Sequence, residues 1–223
     1  VSSNISAEGG GILNRGGMEI SLSTISENTS TQNAGGIQNT YGTLNLEDVV
    51  LSNNVAQHDG GGLLNLGSAV NISGSLISNN STAGLFDNSG TTQVVGSTIR
   101  NNTQNAGAGI TCFYCRLTAD ETVLYDNIGG AAGAVFIYSG QTNSLNDSCL
   151  DGNSDTAVYN QGSPSILDAT NNWWGAADGP SGVGSGSGDS VSENVTFGPF
   201  LTEMPSYCPG RPPPTATRTA SPP

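Results

Sequence analysis

The motif (Ile/Leu/Val)-x-x-Asn recurs along the chain and places asparagines at Asn4, Asn28, Asn54, Asn80, Asn102, Asn127 and Asn153, which lie 24, 26, 26, 22, 25 and 26 residues apart. A second series, the hydrophobic residue that follows each Gly/Ala-rich turn, falls at Ile12, Ile37, Leu63, Leu85, Ile110, Val135 and Val158, in steps of 25, 26, 22, 25, 25 and 23. A period of this size marks a solenoid, in which each unit covers its neighbour's open face and the core is buried along an axis.

Each unit reads as three short strands with period-2 alternation and turn residues between them. In the second unit these are Gly35-Gly36-Ile37-Gln38-Asn39, Gly42-Thr43-Leu44-Asn45-Leu46 and Val50-Leu51-Ser52-Asn53-Asn54. No segment carries apolar residues at 3.6 spacing, and the 32 glycines with abundant Asn, Ser and Thr disfavour helix. Like strands one repeat apart must stack in parallel, about 4.8 Å from rung to rung, so about seven coils make a rod on the order of 30 to 35 Å long.

The repeated asparagines admit two structural readings. In one, each Asn bonds its side-chain amide to the Asn above and below and braces the bent backbone, as side-chain ladders of stacked strands do. In the other, they are solvent-facing turn residues chosen for left-handed conformations.

The chain is 35% hydrophobic and 10% charged, because Gly, Ser, Thr and Asn dominate. That composition suits one large solenoid domain and an extracellular or cell-surface setting. No apolar run approaches the length of a membrane span. The net charge of -13 comes from 18 acidic residues against five arginines and no lysine. It argues against nucleic acid and anionic membranes as partners and leaves room for bound cations.

The opening Val1-Ser2-Ser3-Asn4 already matches the third strand of a coil, which suggests further domains upstream. Coils are expected over residues 1–175, a capping segment over 176–204, and a Pro/Thr-rich linker over 205–223 leading to further sequence downstream. Both tryptophans, Trp173 and Trp174, fall where the coils end. They are expected to lie across the open core as a cap, with a sugar-stacking platform as the rival reading.

The segments Gly-Gly-Gly-Ile-Leu-Asn, Gly-Gly-Ile-Gln-Asn and Gly-Gly-Gly-Leu-Leu-Asn, with Ile25-Ser26-Glu27-Asn28 and Ile77-Ser78-Asn79-Asn80, resemble the right-handed parallel β-helix repeats of polymorphic outer membrane proteins and bacterial surface exoproteins. The stretch from Asn171-Asn172-Trp173-Trp174-Gly175 through Gly188-Asp189-Ser190-Val191 to Gly198-Pro199-Phe200-Leu201 resembles the closing segment of such helices. The resemblance covers about residues 1–204 and implies an all-β, right-handed parallel β-helix of pectin-lyase-like architecture, a fold that hosts both enzymes and adhesins.

Enzymatic versions need a walled cleft with either an Arg or Lys base beside carboxylate-bound calcium, or a pair of acids across a glycosidic bond. No coil here carries the insertions expected to build such walls. The bases within the coils are Arg15, Arg100 and Arg116, and the only histidine, His58, reads as a surface turn residue. One cluster stands out: Arg116, Asp120, Glu121 and Asp147, in which Glu121 and Asp147 align on adjacent rungs. These four are the alternative catalytic set. Asp120, Glu121 and Asp147 could instead neutralise one another through a calcium ion, although solvated surface carboxylates are the commoner arrangement.

Four cysteines, Cys112, Cys115, Cys149 and Cys208, allow three disulfide connectivities, of which Cys112–Cys115 with Cys149–Cys208 is preferred. Zinc and redox readings of Cys112-x-x-Cys115 lack further ligands and a βαβ setting. The Asn-x-Ser/Thr sequons arise from the corner pattern itself. The expectation is a non-catalytic β-helix serving as a stalk or as an adhesion surface for polysaccharide or a cell-surface ligand, with a polysaccharide lyase or glycoside hydrolase as the alternative. Regular Thr or aromatic rows, as an ice or sugar binder would use, are not evident in the sequence.

Overall fold

The computed structural model describes residues 1–104, 106–138, 141–162 and 165–209 of the chain. Of the predicted linker, residues 210–223 lie outside the described residues. Among the described residues there is no helix, and three parallel sheets of nine, eight and six strands carry the fold. Within the coils, each strand of these three sheets pairs with its equivalent one coil later. Thus Ile12, Ile37, Leu63, Leu85, Ile110, Val135 and Val158 are successive register partners in the nine-stranded sheet. The chain is a parallel β-helix, and the hydrophobic ruler in its sequence is one column of that sheet.

Alternation decides which side chains enter the interior. In Thr43–Glu47, Leu44 and Leu46 are buried while Thr43 and Glu47 are exposed. Repeated on every rung, this builds one core cluster from Ile25 to Val195 that includes Leu51, Ile77, Ile99, Leu124 and Leu150. Each such side chain contributes about 1.5 to 3 kcal/mol of burial.

Corners are made by single residues in the left-handed region. Leu22, Asp48, Gly74, Gly96, Glu121, Asp147 and Asn171 all have positive φ and follow the eight-stranded sheet at the same point of their coils. A second such set, Ser3, Glu27, Asn53, Asn79, Asn101, Asp126 and Gly152, directly precedes the seven ruler asparagines. The left-handed residue is therefore the neighbour of the ruler Asn. Asn28, Asn54, Asn80, Asn102 and Asn127 are at most 1% exposed, which overturns the solvent-facing reading for them.

The stack closes on a part-coil. Within the predicted cap, Gly188–Val191 and Val195–Thr196 continue the nine- and eight-stranded sheets through Val158↔Val191 and Leu167↔Val195. Trp173 bridges to Cys149, so Trp174 falls in the core column of Leu124 and Leu150 and is fully buried. Trp173 points the other way, onto Cys149 and Cys208. At 9% and 0% exposure neither indole offers a face to a sugar. Residues 205–209 lie against the body: Cys208 is bonded to Cys149, and Tyr207 Oη donates to Asp147 O over 2.5 Å.

Candidate functional site

The asparagines of the ruler form a continuous ladder. Nδ2 of Asn28, Asn54, Asn80, Asn102 and Asn127 each donates to Oδ1 of the next Asn at 3.0 to 3.1 Å. The same oxygens accept the backbone N–H of the preceding rung's Asn. The second Nδ2 proton goes back to a carbonyl of the rung below, as from Asn80 to Leu51 O at 2.9 Å. Every donor and acceptor of these buried amides is used, as burial requires.

A second column was not anticipated. Asn14, Asn39, Asn65 and Asp87 are register partners in the nine-stranded sheet. Asn14 Nδ2 donates to Asn39 Oδ1 at 2.7 Å, and Asn39 Nδ2 to Asn65 Oδ1 at 3.0 Å. Asp87 ends the run by accepting from Asn65, Thr92 and Gly90; burial still lifts its carboxyl above the usual range. The next partner is Cys112, whose disulfide to Cys115 spans the same three residues that Asn65→Ser68 O and Gly90 N→Asp87 span in their coils. A covalent bond there replaces a side-chain-to-backbone hydrogen bond. The spacing of Asn14, Asn39 and Asn65 in the Gly-Gly-x-x-Asn segments was the signal.

The predicted acidic cluster is assembled only in part. Asp120, Glu121 and Asp147 gather around Tyr207, whose phenol is raised first by burial and then by these three charges. Arg116 opens the strand that Asp120 closes, four residues and so about 13 Å away along an extended chain. The arginine and the acids do not converge. Among the described residues no three His, Cys, Asp or Glu side chains are grouped as a metal site needs. The disulfides Cys112–Cys115 and Cys149–Cys208 are those preferred from sequence.

One concavity comes from an omission. Nine residues lead from Asn54 to Leu63 and eight from Asn102 to Ile110, but only five from Asn80 to Leu85, a shortening that recurs from Asn153 to Val158 near the end of the stack. In the longer coils this excursion forms short strands outside the main sheets, Val55–Ala56, Thr103–Gln104 and Ile128–Gly129. In the short coil that follows Asn80 the strand is missing, and the small sheets end on either side of it. What remains is a notch of about 860 Å³, floored by Ser81 and Thr82 and walled by Gln57, His58 and Asp59 on one side and Thr103 and Gln104 on the other. A wall can thus be built by a deletion as well as by an insertion. The volume falls in the range of ligand sites.

The floor departs from ordinary backbone. Thr82 and Ala83 both have positive φ, 58° and 79°, a costly conformation for a β-branched residue. Ser81 Oγ is buried without a hydrogen-bond partner. Asp59 is raised by burial, with His58 opposing. Among the described residues it is the one carboxylate lining the notch, whereas glycoside hydrolysis employs two.

Beside the notch, the outer face of the nine-stranded sheet carries the aromatic row that was not evident in sequence. Phe86, Thr111, Phe136 and Tyr159 form one column, with Phe113 and Tyr138 beside them. Phe86 stacks on Phe113 at 5.4 Å, Phe113 on Tyr138 at 4.7 Å, and Phe136 on Tyr159 at 5.7 Å. Tyr114 meets Tyr138 edge-on at 5.4 Å. Phe86 and Phe136 are buried, while Tyr114 and Tyr138 remain 54% and 37% exposed. Thr111 Oγ1 lies 3.2 Å from Gln104 Oε1, which joins this row to the notch wall.

Fold and site together define a parallel β-helix with a notched corner beside an aromatic outer face. No family model, curated protein or solved structure matches the chain.

Proposed function

We propose that this chain is a non-catalytic, extracellular or cell-surface β-helix of pectin-lyase-like architecture, whose outer nine-stranded face binds carbohydrate. The observation that carries the reading is the aromatic row from Phe86 to Tyr159, with Tyr114 and Tyr138 open to solvent. Aromatic rings with a polar edge suit ligands that present both C–H faces and hydroxyls. Stacked rungs hold those rings in a fixed frame, so little ordering entropy is lost on binding. Disulfides and a net charge of -13 fit an oxidising, solvated environment.

The test is a polysaccharide panel assayed for retention and for cleavage, with and without calcium. Retention without release of reducing or unsaturated ends is expected, and it should fall in a Tyr114→Ala/Tyr138→Ala variant. Release of such ends would replace the proposal with the lyase or hydrolase reading.

A further inference from the structure

We propose that the notch between Asn80 and Leu85 is a binding site for a neutral, hydroxyl-rich oligosaccharide lying along the rod axis, a proposal that rests on the carbohydrate-binding reading above. The notch crosses the rungs that contribute Gln57, Ser81, Thr103 and Ile128. At about 4.8 Å per rung its length is about 14 Å, so it takes a few linked sugars end to end.

Its chemistry selects the ligand class. The side chains of Gln57, Thr103 and Gln104 supply amide and hydroxyl groups that both donate and accept, Thr82 Oγ1, which donates to Ser81 O at 2.6 Å, offers its acceptor side, and Ile128, 61% exposed, adds an apolar patch. No lysine or arginine is among the described residues lining it, and the whole chain carries -13. An anionic glycan, phosphate or nucleic acid would find no lysine or arginine, only His58 among the described lining residues as a group able to carry positive charge, with Asp59 beside it to repel an anion. A purely apolar ligand would leave the amides and hydroxyls unpaired.

Thr82 gives the site a readout that separates binding from folding. Its left-handed backbone makes Thr82→Gly a relief of strain, so this variant should melt at a higher temperature than the parent. If its side chain meets the ligand, the same variant should bind about tenfold more weakly, the loss expected for one good polar contact. A residue with only a structural role would not move the two in opposite directions.

The experiment is calorimetric titration of the full chain with neutral gluco-, manno- and xylo-oligosaccharides and with oligogalacturonate as the acidic probe, repeated for Thr82→Gly, Gln104→Ala and Tyr138→Ala. Expected are binding of a neutral oligomer, weakening of about tenfold in the Thr82 and Gln104 variants, and at least about tenfold weaker binding of the acidic probe. Neutral binding that is lost in Tyr138→Ala but unchanged in both notch variants would overturn the notch and leave the aromatic face standing. Acidic binding as tight as neutral would overturn the ligand class. An unmodified chain that binds none of these probes and no polymer of the panel would overturn both proposals.

Discussion

Asn153 Nδ2 donates to Asp189 Oδ2 over 2.7 Å, so the asparagine column of the rod ends on a carboxylate. Asp189 also accepts the backbone N–H groups of Asn153 and Gly152 at 3.2 and 2.9 Å. The column has a direction: each amide nitrogen points toward the C-terminal end. A residue with acceptors alone fits only the last position, and Asp87 ends the second column in the same way. Polarity of the ladder therefore determines where an acid can replace an Asn.

Interior rungs should tolerate neither truncation nor that acid. Asn80→Ala removes the acceptor of Asn54 N and Nδ2 and the donor to Leu51 O and Asn102 Oδ1. A loss of about 3 to 5 kcal/mol is expected from leaving these buried groups unpaired, and Asn80→Asp should be at least as harmful. Its neighbour Asn79 is exposed with φ at 55°, so Asn79→Gly should leave the urea midpoint nearly unchanged.

The closing carboxylate should make stability depend on acidity. Burial raises Asp189 to about 6 despite its three donors, with the nearby Asp151 adding to the rise. The folded chain thus holds a proton that the unfolded chain releases near pH 4. This contribution is fully present below about pH 4 and is lost as pH rises through about 6; it amounts to at most about 3 kcal/mol, less where water reaches the half-buried carboxylate. Asp189→Asn should flatten that part of the melting-temperature profile.

The Cys149–Cys208 bond closes a separation of 59 residues and packs under Trp173. Cys208→Ser should cost about 4 kcal/mol by loop-closure entropy. Tryptophan emission should also shift to the red as water reaches Trp173, while Trp174 stays in the core.

Leu22 is 83% exposed and sits at φ 47°, at a corner where Gly74 and Gly96 stand in later coils. Leu22→Gly should raise stability by about 0.5 to 1 kcal/mol, since the strain relieved exceeds the added freedom of the unfolded chain. Thermal unfolding would show it.

The period and the column of asparagines could be read from sequence because both depend on spacing, whereas Cys149–Cys208, 59 residues apart, was a preference among three connectivities that spacing leaves open. The aromatic row could not be read from spacing: Thr111 interrupts its column and Phe113 and Tyr138 lie two residues over, so no single ruler connects them. The notch was present as a number. Both rulers shorten to 22 residues, and the two short steps overlap only between Asn80 and Leu85. An insertion announces a cleft wall in the sequence, whereas a missing strand leaves no residues to notice. Arg116 looked close to Asp120 because four residues are few in sequence, yet along a strand they span its whole length.

Hydrogen exchange of the asparagine side-chain amides, resolved by NMR, tests the stacked ladder most directly. In the adjacent pairs Asn53–Asn54, Asn79–Asn80 and Asn101–Asn102, the second residue is buried in the column and the first forms the corner. Slow exchange at Asn54, Asn80 and Asn102 beside fast exchange at Asn53, Asn79 and Asn101 is the predicted result. Equal, fast exchange within each pair would contradict the ladder and the axial stacking built on it.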